Sequence, residues 1–167
     1  VVDDMQITAV IPAYNEEKNI SYVLETVMKC KELSRVIVVS DGSTDRTAEV
    51  AQEMGAEVIC LPCNRGKAGA VMAGVEATIA EIILLLDADL IGLTPQHIKD
   101  LIDPIIKDNS DMTIGFFTSG RIYTNLSQRI TPFLNGQRAV KRELLESIRN
   151  LERTKYGIEV VLTRFAH

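Results

Sequence analysis

The sequence predicts an α/β fold of the Rossmann-like kind, a mostly parallel sheet with helices on both faces. Three observations carry that expectation. Four short apolar runs alternate with helical patterns, each run is apolar throughout rather than at every second position, and each gives way to polar, turn-forming residues. Strands buried on both faces read in this way, whereas a strand with one wet face alternates.

Gln6 to Ile11 reads as the first strand, ended by Pro12, and apolar residues at Ile20, Val23, Leu24, Val27 and Met28 then mark an amphipathic helix. Val36 to Val39 is the second strand, and Thr44 to Met54 a second helix that begins with polar starters. Glu57 to Leu61 is the third strand. A loop at Pro62 to Gly66 leads into an Ala/Gly/Val-rich helix from Lys67 to Thr78, whose small residues let it approach a sheet closely. Ile82 to Leu86 is the fourth strand. Thr94 caps the next helix and Pro95 occupies its first turn, with Ile98, Leu101, Ile102, Ile105 and Ile106 along one stripe; Pro104 should kink this helix or end it early.

Beyond Met112 to Phe116 the regularity weakens. Thr118 to Asn135 is polar and turn-prone, after which Val140, Leu144, Leu145, Ile148 and Leu151 suggest a helix and a last helical segment starts at Ile158. The chain stops at His167 inside that pattern, with neither cap nor closing strand, so either a truncated C-terminal part of the fold or a disordered tail is expected.

The chain has 167 residues, 46% hydrophobic and 25% charged, which suits one globular domain with a real core. No apolar run reaches the roughly 18 to 20 residues of a membrane span, and the first residues lack the basic, apolar, small-residue order of a signal peptide. A cytoplasmic location is therefore expected. The net charge of -5 hides an asymmetry: residues 1–116 carry 9 Lys+Arg against 19 Asp+Glu, and residues 117–167 carry 9 against 4. The basic segment suits either an anion, such as a phosphorylated acceptor or a membrane surface, or a solvated helix face. Nucleic acid fits poorly, because Glu143, Glu146 and Glu152 dilute the charge and no row of aromatic residues accompanies it. Cys60 and Cys63 have the spacing of a redox or zinc half-site but lack further ligands, and reduced, structural cysteines are expected at 30, 60 and 63.

In an open parallel sheet ligands bind beyond the carboxyl ends of the strands, so the residues after each apolar run are the candidate site. Those are Pro12-Ala13-Tyr14-Asn15-Glu16, Ser40-Asp41-Gly42-Ser43-Thr44-Asp45, Asn64-Arg65-Gly66-Lys67 and Asp87-Ala88-Asp89. Asp87 and Asp89 alternate at a strand end and suit a hard divalent cation, Mg2+ or Mn2+, bridging two phosphates; as an isolated pattern, Asp-x-Asp is also a polar strand end or helix cap. Asp41 can accept a hydrogen bond from a base N–H of uracil or guanine while also shaping an Asp-Gly turn. Arg65 and Lys67 open a helix where phosphates or base edges bind, with a solvated role open for Arg65. No P-loop is present, since position 61 is Leu and Ala68 follows Lys67, and no strand is followed by Gly-x-Gly-x-x-Gly.

These four elements together resemble glycosyltransferase family 2 and its relatives of GT-A fold, over essentially the whole chain. Val10-Ile11-Pro12-Ala13-Tyr14-Asn15-Glu16-Glu17 is similar to the family's opening strand and loop, Val39 to Asp45 to its second signature, Asn64 to Ala70 to its third, and Asp87-Ala88-Asp89 to its metal-binding motif. The resemblance implies a metal-dependent transferase that moves a sugar from a UDP- or GDP-linked donor to an acceptor. It implies nucleotide-sugar contacts at Pro12, Ala13, Tyr14, Glu16, Asp41, Arg65, Lys67, Asp87 and Ala88, with Asp89 as principal metal ligand and a catalytic group. Residues 1–116 would form the nucleotide-sugar-binding half and 117–167 the acceptor-side segment of the same domain.

Leu134 to Ala139, with Tyr156-Gly157-Ile158-Glu159, is similar to the acceptor side of polyprenyl-phosphate glycosyltransferases and glucosyl-3-phosphoglycerate synthases. That likeness implies Gly136, Gln137 and Arg138 on the acceptor side and Glu159 as catalytic base or sugar contact. Glu159 reads equally as a first-turn surface residue, Gly136 as a turn, and His167 as either a third metal ligand or an inert terminus. The acceptor stays open, as do a peripheral membrane contact at the inner face of the membrane and a homodimer. Two rival readings are a nucleotidyltransferase on sugar phosphates, disfavoured by the lack of glycine after the first strand, and a non-catalytic nucleotide-sugar-binding module.

Overall fold

The computed structural model describes residues 5–118, 121–124 and 137–152. Its elements run β1 (Ile7–Ala13), α1 (Ile20–Val27), β2 (Arg35–Asp41), α2 (Thr47–Glu53), β3 (Glu57–Leu61), α3 (Gly66–Glu76), β4 (Ile82–Leu85), α4 (Pro95–Ile106), β5 (Met112–Thr118), β6 (Arg121–Thr124), β7 (Gln137–Lys141) and α5 (Arg142–Glu152). All seven strands join one sheet in the order β3-β2-β1-β4-β7-β5-β6. The first four pair in parallel, as expected from their unbroken apolar character. The other half is antiparallel: β7 runs against both β4 and β5, and β6 against β5.

Two apolar layers cover the sheet. Ile7, Ala9 and Ile11 of β1 pack with α1 and α4 on one face, whereas Val10 of β1, Val39 of β2 and Ile83 of β4 pack with Ala70 and Val75 of α3 on the other. The alternation within β1 is the period-two geometry of a strand with both faces dry. On α4 the buried set is Ile98, Leu101, Ile102 and Ile105, the expected stripe, and each such side chain contributes about 2 kcal/mol when removed from water. Thr94 caps this helix: its hydroxyl accepts from the His97 N–H at 3.2 Å and His97 Nδ1 accepts from the Thr94 N–H at 3.3 Å.

The close approach expected of the small-residue helix centres on Gly74. A Cβ there would collide with Val10 Cγ1 and lie 3.1 Å from Val39 Cγ2. Replacing a helical Gly by Ala normally gains up to about 1 kcal/mol, but overpacking a close-packed core costs about 1 to 3 kcal/mol. Gly74→Ala is therefore expected to lower stability by about 1 to 2 kcal/mol in chemical denaturation, the reverse of the propensity effect.

Several boundaries differ from the sequence expectation, each for a local reason. β1 continues through Pro12 to Ala13, because β4 pairs only with Ile7–Val10 and Pro12 lies where β1 has a neighbour on one side alone. β2 extends to Asp41, and because the Gly42 N–H bonds the Ser40 carbonyl at 3.0 Å, Asp41 both ends the strand and forms the middle of the turn expected there. α2 starts at Thr47 because Asp45 turns back to accept hydrogen bonds from the Thr47 N–H and hydroxyl. β3 is an edge strand with Glu57 and Cys60 exposed, so it is not buried on both faces. Pro104 does not end α4, which runs on to Ile106; it stands in the last turn, where few hydrogen bonds remain to be lost.

The helix read from Val140 begins instead at Arg142, and Val140 belongs to β7. The segment from Ile158 lies outside the described residues. Among the described residues no helix is long and apolar enough to cross a membrane. All three cysteines are free, Cys30 buried and Cys60 and Cys63 exposed.

Candidate functional site at the carboxyl rim of the sheet

The loops after β1, β2 and β3, the turn after β4 and the first residue of β7 are joined by an unbroken set of contacts. Asn15, at φ 55°, donates its N–H to Ser43 Oγ at 3.1 Å, and its side-chain oxygen accepts from the Thr44 N–H at 2.9 Å. Asparagine is among the few residues that take this left-handed conformation readily. The Glu16 N–H donates to Thr47 Oγ1 at 2.8 Å and the Glu17 N–H to Asp45 Oδ2 at 3.2 Å. The first loop is thus clamped to the second through backbone groups, leaving Tyr14 half exposed. The Glu16 side chain accepts from Asn19 Nδ2 at 2.8 Å.

Burial pushes the Asp45 carboxyl up, but the hydrogen bonds from Thr47 and Glu17 outweigh it and hold the pKa below the usual value of 3.8. A depressed pKa contributes stability that is complete above the unfolded value and lost as pH falls through the folded one. The clamp is therefore expected to hold throughout the neutral range and to loosen only below about pH 4. The Glu17 amide resonance, followed through an acid titration, checks this.

The second loop meets the third at Asp41 and Gly42. Asp41 is 3% exposed and its Oδ1 accepts from the Arg65 N–H at 2.7 Å. Its Oδ2 has no hydrogen bond to any described residue, so half of this carboxylate remains for a donor from outside. Gly42 sits at φ +70°, and a Cβ there would lie 2.6 Å from the Asn64 nitrogen and 2.8 Å from the Cys63 carbonyl carbon.

The third loop meets the fourth through Lys67, on the first turn of α3, whose Nζ pairs with Asp87 Oδ1. From the opposite side Gln137, 4% exposed on β7, accepts from the Asp87 N–H at 2.9 Å and donates to Asp87 Oδ2 at 3.3 Å. Arg138, 5% exposed and opposite Leu85 of β4, shares a sheet face with Val140 under α3. Burial lowers the pKa of Arg138, and the charge of Asp87 works against that shift. Ala88 is buried. Asp89 is exposed and makes no hydrogen bond or ion pair with any described residue.

Of the residues predicted from sequence, the structure brings Pro12, Ala13, Tyr14, Glu16, Asp41, Arg65, Lys67, Asp87, Ala88 and Asp89 to this one rim. It places Gln137 and Arg138 beside Asp87. Gly136, Glu159 and His167 lie outside the described residues. Thr47 lies outside the loops named from sequence, and two residues inside them have roles the sequence does not specify: Asn15, which with Thr47 clamps the first two loops, and Gly42, which lets the third loop close on the second. An Asp-Gly pair signals a turn but does not announce that another backbone will press against it.

The basic excess after residue 116 is partly internal. Arg142 donates to the carbonyls of Thr78 at 2.6 Å and Ala80 at 2.8 Å, just beyond the end of α3, and Lys141 pairs with Asp108 and Asp111 at 2.6 and 2.8 Å.

The Glycosyl transferase family 2 profile matches residues 8–150. The chain belongs to that family. It is 32% identical over 114 residues to an undecaprenyl-phosphate 4-deoxy-4-formamido-L-arabinose transferase of Pectobacterium carotovorum, covering 62% of this chain and 35% of that protein. Against a dolichyl-phosphate beta-glucosyltransferase of Mus musculus the identity is 40% over 100 residues, 50% of this chain and 31% of the relative. A crystal structure of glucosyl-3-phosphoglycerate synthase from Mycobacterium tuberculosis, in complex with Mn2+, UDP-glucose and phosphoglyceric acid, superposes with a TM-score of 0.71 at 26% identity, over 84% of this chain and 58% of that one. The family 2 chain described here thus spans roughly a third of the length of these two curated relatives. The fold is the GT-A fold of its structural neighbours, and the family expectation drawn from the four rim motifs is met.

Proposed function

We propose that this family 2 member transfers a sugar from a UDP- or GDP-linked donor to a phosphorylated acceptor, with a divalent cation at the diphosphate. The observation that carries the reading is the unequal state of the two carboxylates of Asp87-Ala88-Asp89. Both Asp87 oxygens are engaged, by Lys67 and Gln137, whereas Asp89 is exposed and unpaired among the described residues.

The residues present fit Mg2+ or Mn2+. Such ions are held by one or two carboxylates together with substrate phosphates rather than by a full protein cage, and no group of three or more His, Cys, Asp and Glu ligands gathers among the described residues. Asp89 would hold the ion with Asp87 beside it, and His167 is proposed as a further ligand. When bound, the ion would supply charge neutralisation at the departing nucleoside diphosphate.

The chain's own residues do the rest. Asp41 Oδ2 accepts a base N–H, while Pro12, Ala13, Tyr14 and Glu16 wall the nucleoside subsite. Arg65 and Lys67, at the start of α3, take the phosphate oxygens, where helix N–H groups and cationic side chains both favour negative charge. An acceptor phosphate is already anionic near neutral pH and attacks without a base; a sugar hydroxyl acceptor calls on Glu159. Residues 1–116 would form the donor half and residues 117–167, Gly136 among them, the acceptor-side segment of the same domain. The relatives that act on undecaprenyl phosphate, dolichyl phosphate and phosphoglycerate share an anionic acceptor group, which supports a phosphorylated acceptor here. The polyprenyl-phosphate members support action at the inner face of a membrane.

Lys67→Met removes one charge-assisted contact of about 1.5 to 3 kcal/mol, so donor affinity should fall about tenfold or more while thermal stability changes little, because the Lys67–Asp87 pair is partly exposed. The reading as a whole is tested by release of nucleoside diphosphate from UDP-glucose, UDP-N-acetylglucosamine and GDP-mannose in the presence of Mn2+. The expected result is release from one donor that accelerates with a polyprenyl phosphate or 3-phosphoglycerate. Release at the rate of water hydrolysis with every acceptor would overturn it.

A further inference from the structure

The antiparallel direction of β7 puts its first residue, Gln137, at the carboxyl rim of the parallel strands, 50 positions along the chain from Asp87. There the Gln137 amide and Asp87 exchange two hydrogen bonds, the Asp87 N–H to Oε1 at 2.9 Å and Nε2 to Asp87 Oδ2 at 3.3 Å. Only one orientation of the amide serves both: reversed, its NH2 would face the Asp87 N–H and its oxygen would face the carboxylate. We infer that Gln137 is a positioning residue that fixes the backbone and carboxylate of Asp87 for donor binding, rather than a group that contacts the acceptor. The inference rests on the donor reading above and deepens it.

Three features support this role. Gln137 is 4% exposed, so its amide is withdrawn from solvent and its two bonds are not readily replaced by water. Asp87 lies two residues beyond the last paired residue of β4, so the sheet itself does not hold it. On the other side Lys67 grips the same carboxylate, and Lys67 is the group expected to turn toward the diphosphate when a donor arrives. Gln137 is then the contact that keeps Asp87 in place once Lys67 has moved. Being neutral, it holds the carboxylate without cancelling the charge needed beside a cation.

Gln137→Met removes both bonds at nearly the same volume, and Gln137→Glu keeps an acceptor for the Asp87 N–H while setting one carboxylate against another. Pairing of β7 with β4 and β5 through backbone groups should keep both variants folded, as circular dichroism would verify. The first measurement needs no ligand: the Asp87 amide proton should move upfield in Gln137→Met and stay near its wild-type position in Gln137→Glu. The second is calorimetric titration of UDP with Mn2+ into the wild type, Gln137→Met, Asp87→Ala and the double variant.

Gln137→Met should weaken binding about tenfold in the wild-type background, the scale of a lost outer-shell partner, and Gln137→Glu more. In the Asp87→Ala background the same change should cost less than twofold. Equal losses in both backgrounds, or an unmoved Asp87 amide, would overturn the positioning role and leave the donor reading standing. Absence of UDP–Mn2+ binding by the wild type would remove the donor reading and this inference with it.

Discussion

Asp89→Ala should abolish cation-dependent turnover while leaving the fold unchanged. The side chain is exposed and touches no described partner, so its loss removes no packing and no internal hydrogen bond, and stability should stay within about 0.5 kcal/mol of wild type. Its proposed contribution falls entirely on the departing diphosphate. Neutralising developing charge in a transferase site is worth several kcal/mol, and about 4 kcal/mol corresponds to roughly a thousandfold in rate. Asp87→Ala should behave differently, because it also strips Lys67 and Gln137 of their shared partner. The pair of variants, compared by steady-state kinetics and thermal melting, separates a carboxylate held for the ligand from one that also organises the rim.

Gly42→Ala should produce the largest loss of stability among single-methyl changes at the rim. The backbone there is at φ +70°, which costs an L-residue about 1 to 2 kcal/mol, and the new Cβ would lie 2.6 and 2.8 Å from main-chain atoms of Asn64 and Cys63. Those are backbone atoms and cannot rotate aside, so the third loop must move. That movement would break the bond from the Arg65 N–H to Asp41, the residue proposed to meet the base. The combined expectation is about 2 to 4 kcal/mol of destabilisation and at least a tenfold loss of nucleotide affinity. Gly92 provides the control. It sits at φ +80° with nothing within 4 Å of its prospective Cβ, so Gly92→Ala should cost only the conformational part. Denaturant unfolding of the two variants side by side isolates the steric term.

The half of the fold that the sequence made plain is the half whose physics is local. β1, β2, β3 and β4 each carry a short apolar run, α1 a 3.6-residue stripe and α3 a run of small residues, and right-handed parallel crossovers leave few ways to assemble them. The antiparallel half was not legible in the same way. β7 is five residues long and reads Gln-Arg-Ala-Val-Lys, with polar residues at positions that are buried only because β4 and β5 lie on either side. Its neighbour α5 starts at the very next residue, so Val140 looked like the first member of a helical stripe.

The candidate site divides along the same line. Asp41, Lys67, Asp87 and Asp89 follow apolar runs directly, and the general position of ligands in parallel sheets singles them out. The bond between Gln137 and Asp87 joins residues far apart in sequence across an antiparallel pairing, and neither residue type announces the other. The clamp from Asn15, Glu16 and Glu17 to Ser43, Thr44, Asp45 and Thr47 is similar in kind: the residues are turn formers by composition, while the partner each one finds is set by the spacing of β1 and β2.

This rim is proposed to bind a nucleotide diphosphate sugar through Asp41, Lys67 and Asp89 with a divalent cation. The decisive experiment is calorimetric titration of UDP-glucose, UDP-N-acetylglucosamine and GDP-mannose into the wild-type protein, with Mn2+ and with the cation chelated. Saturable binding of one donor that weakens at least tenfold on chelation is expected, whereas a folded protein that binds none of the three under either condition would rule out a donor site at this rim.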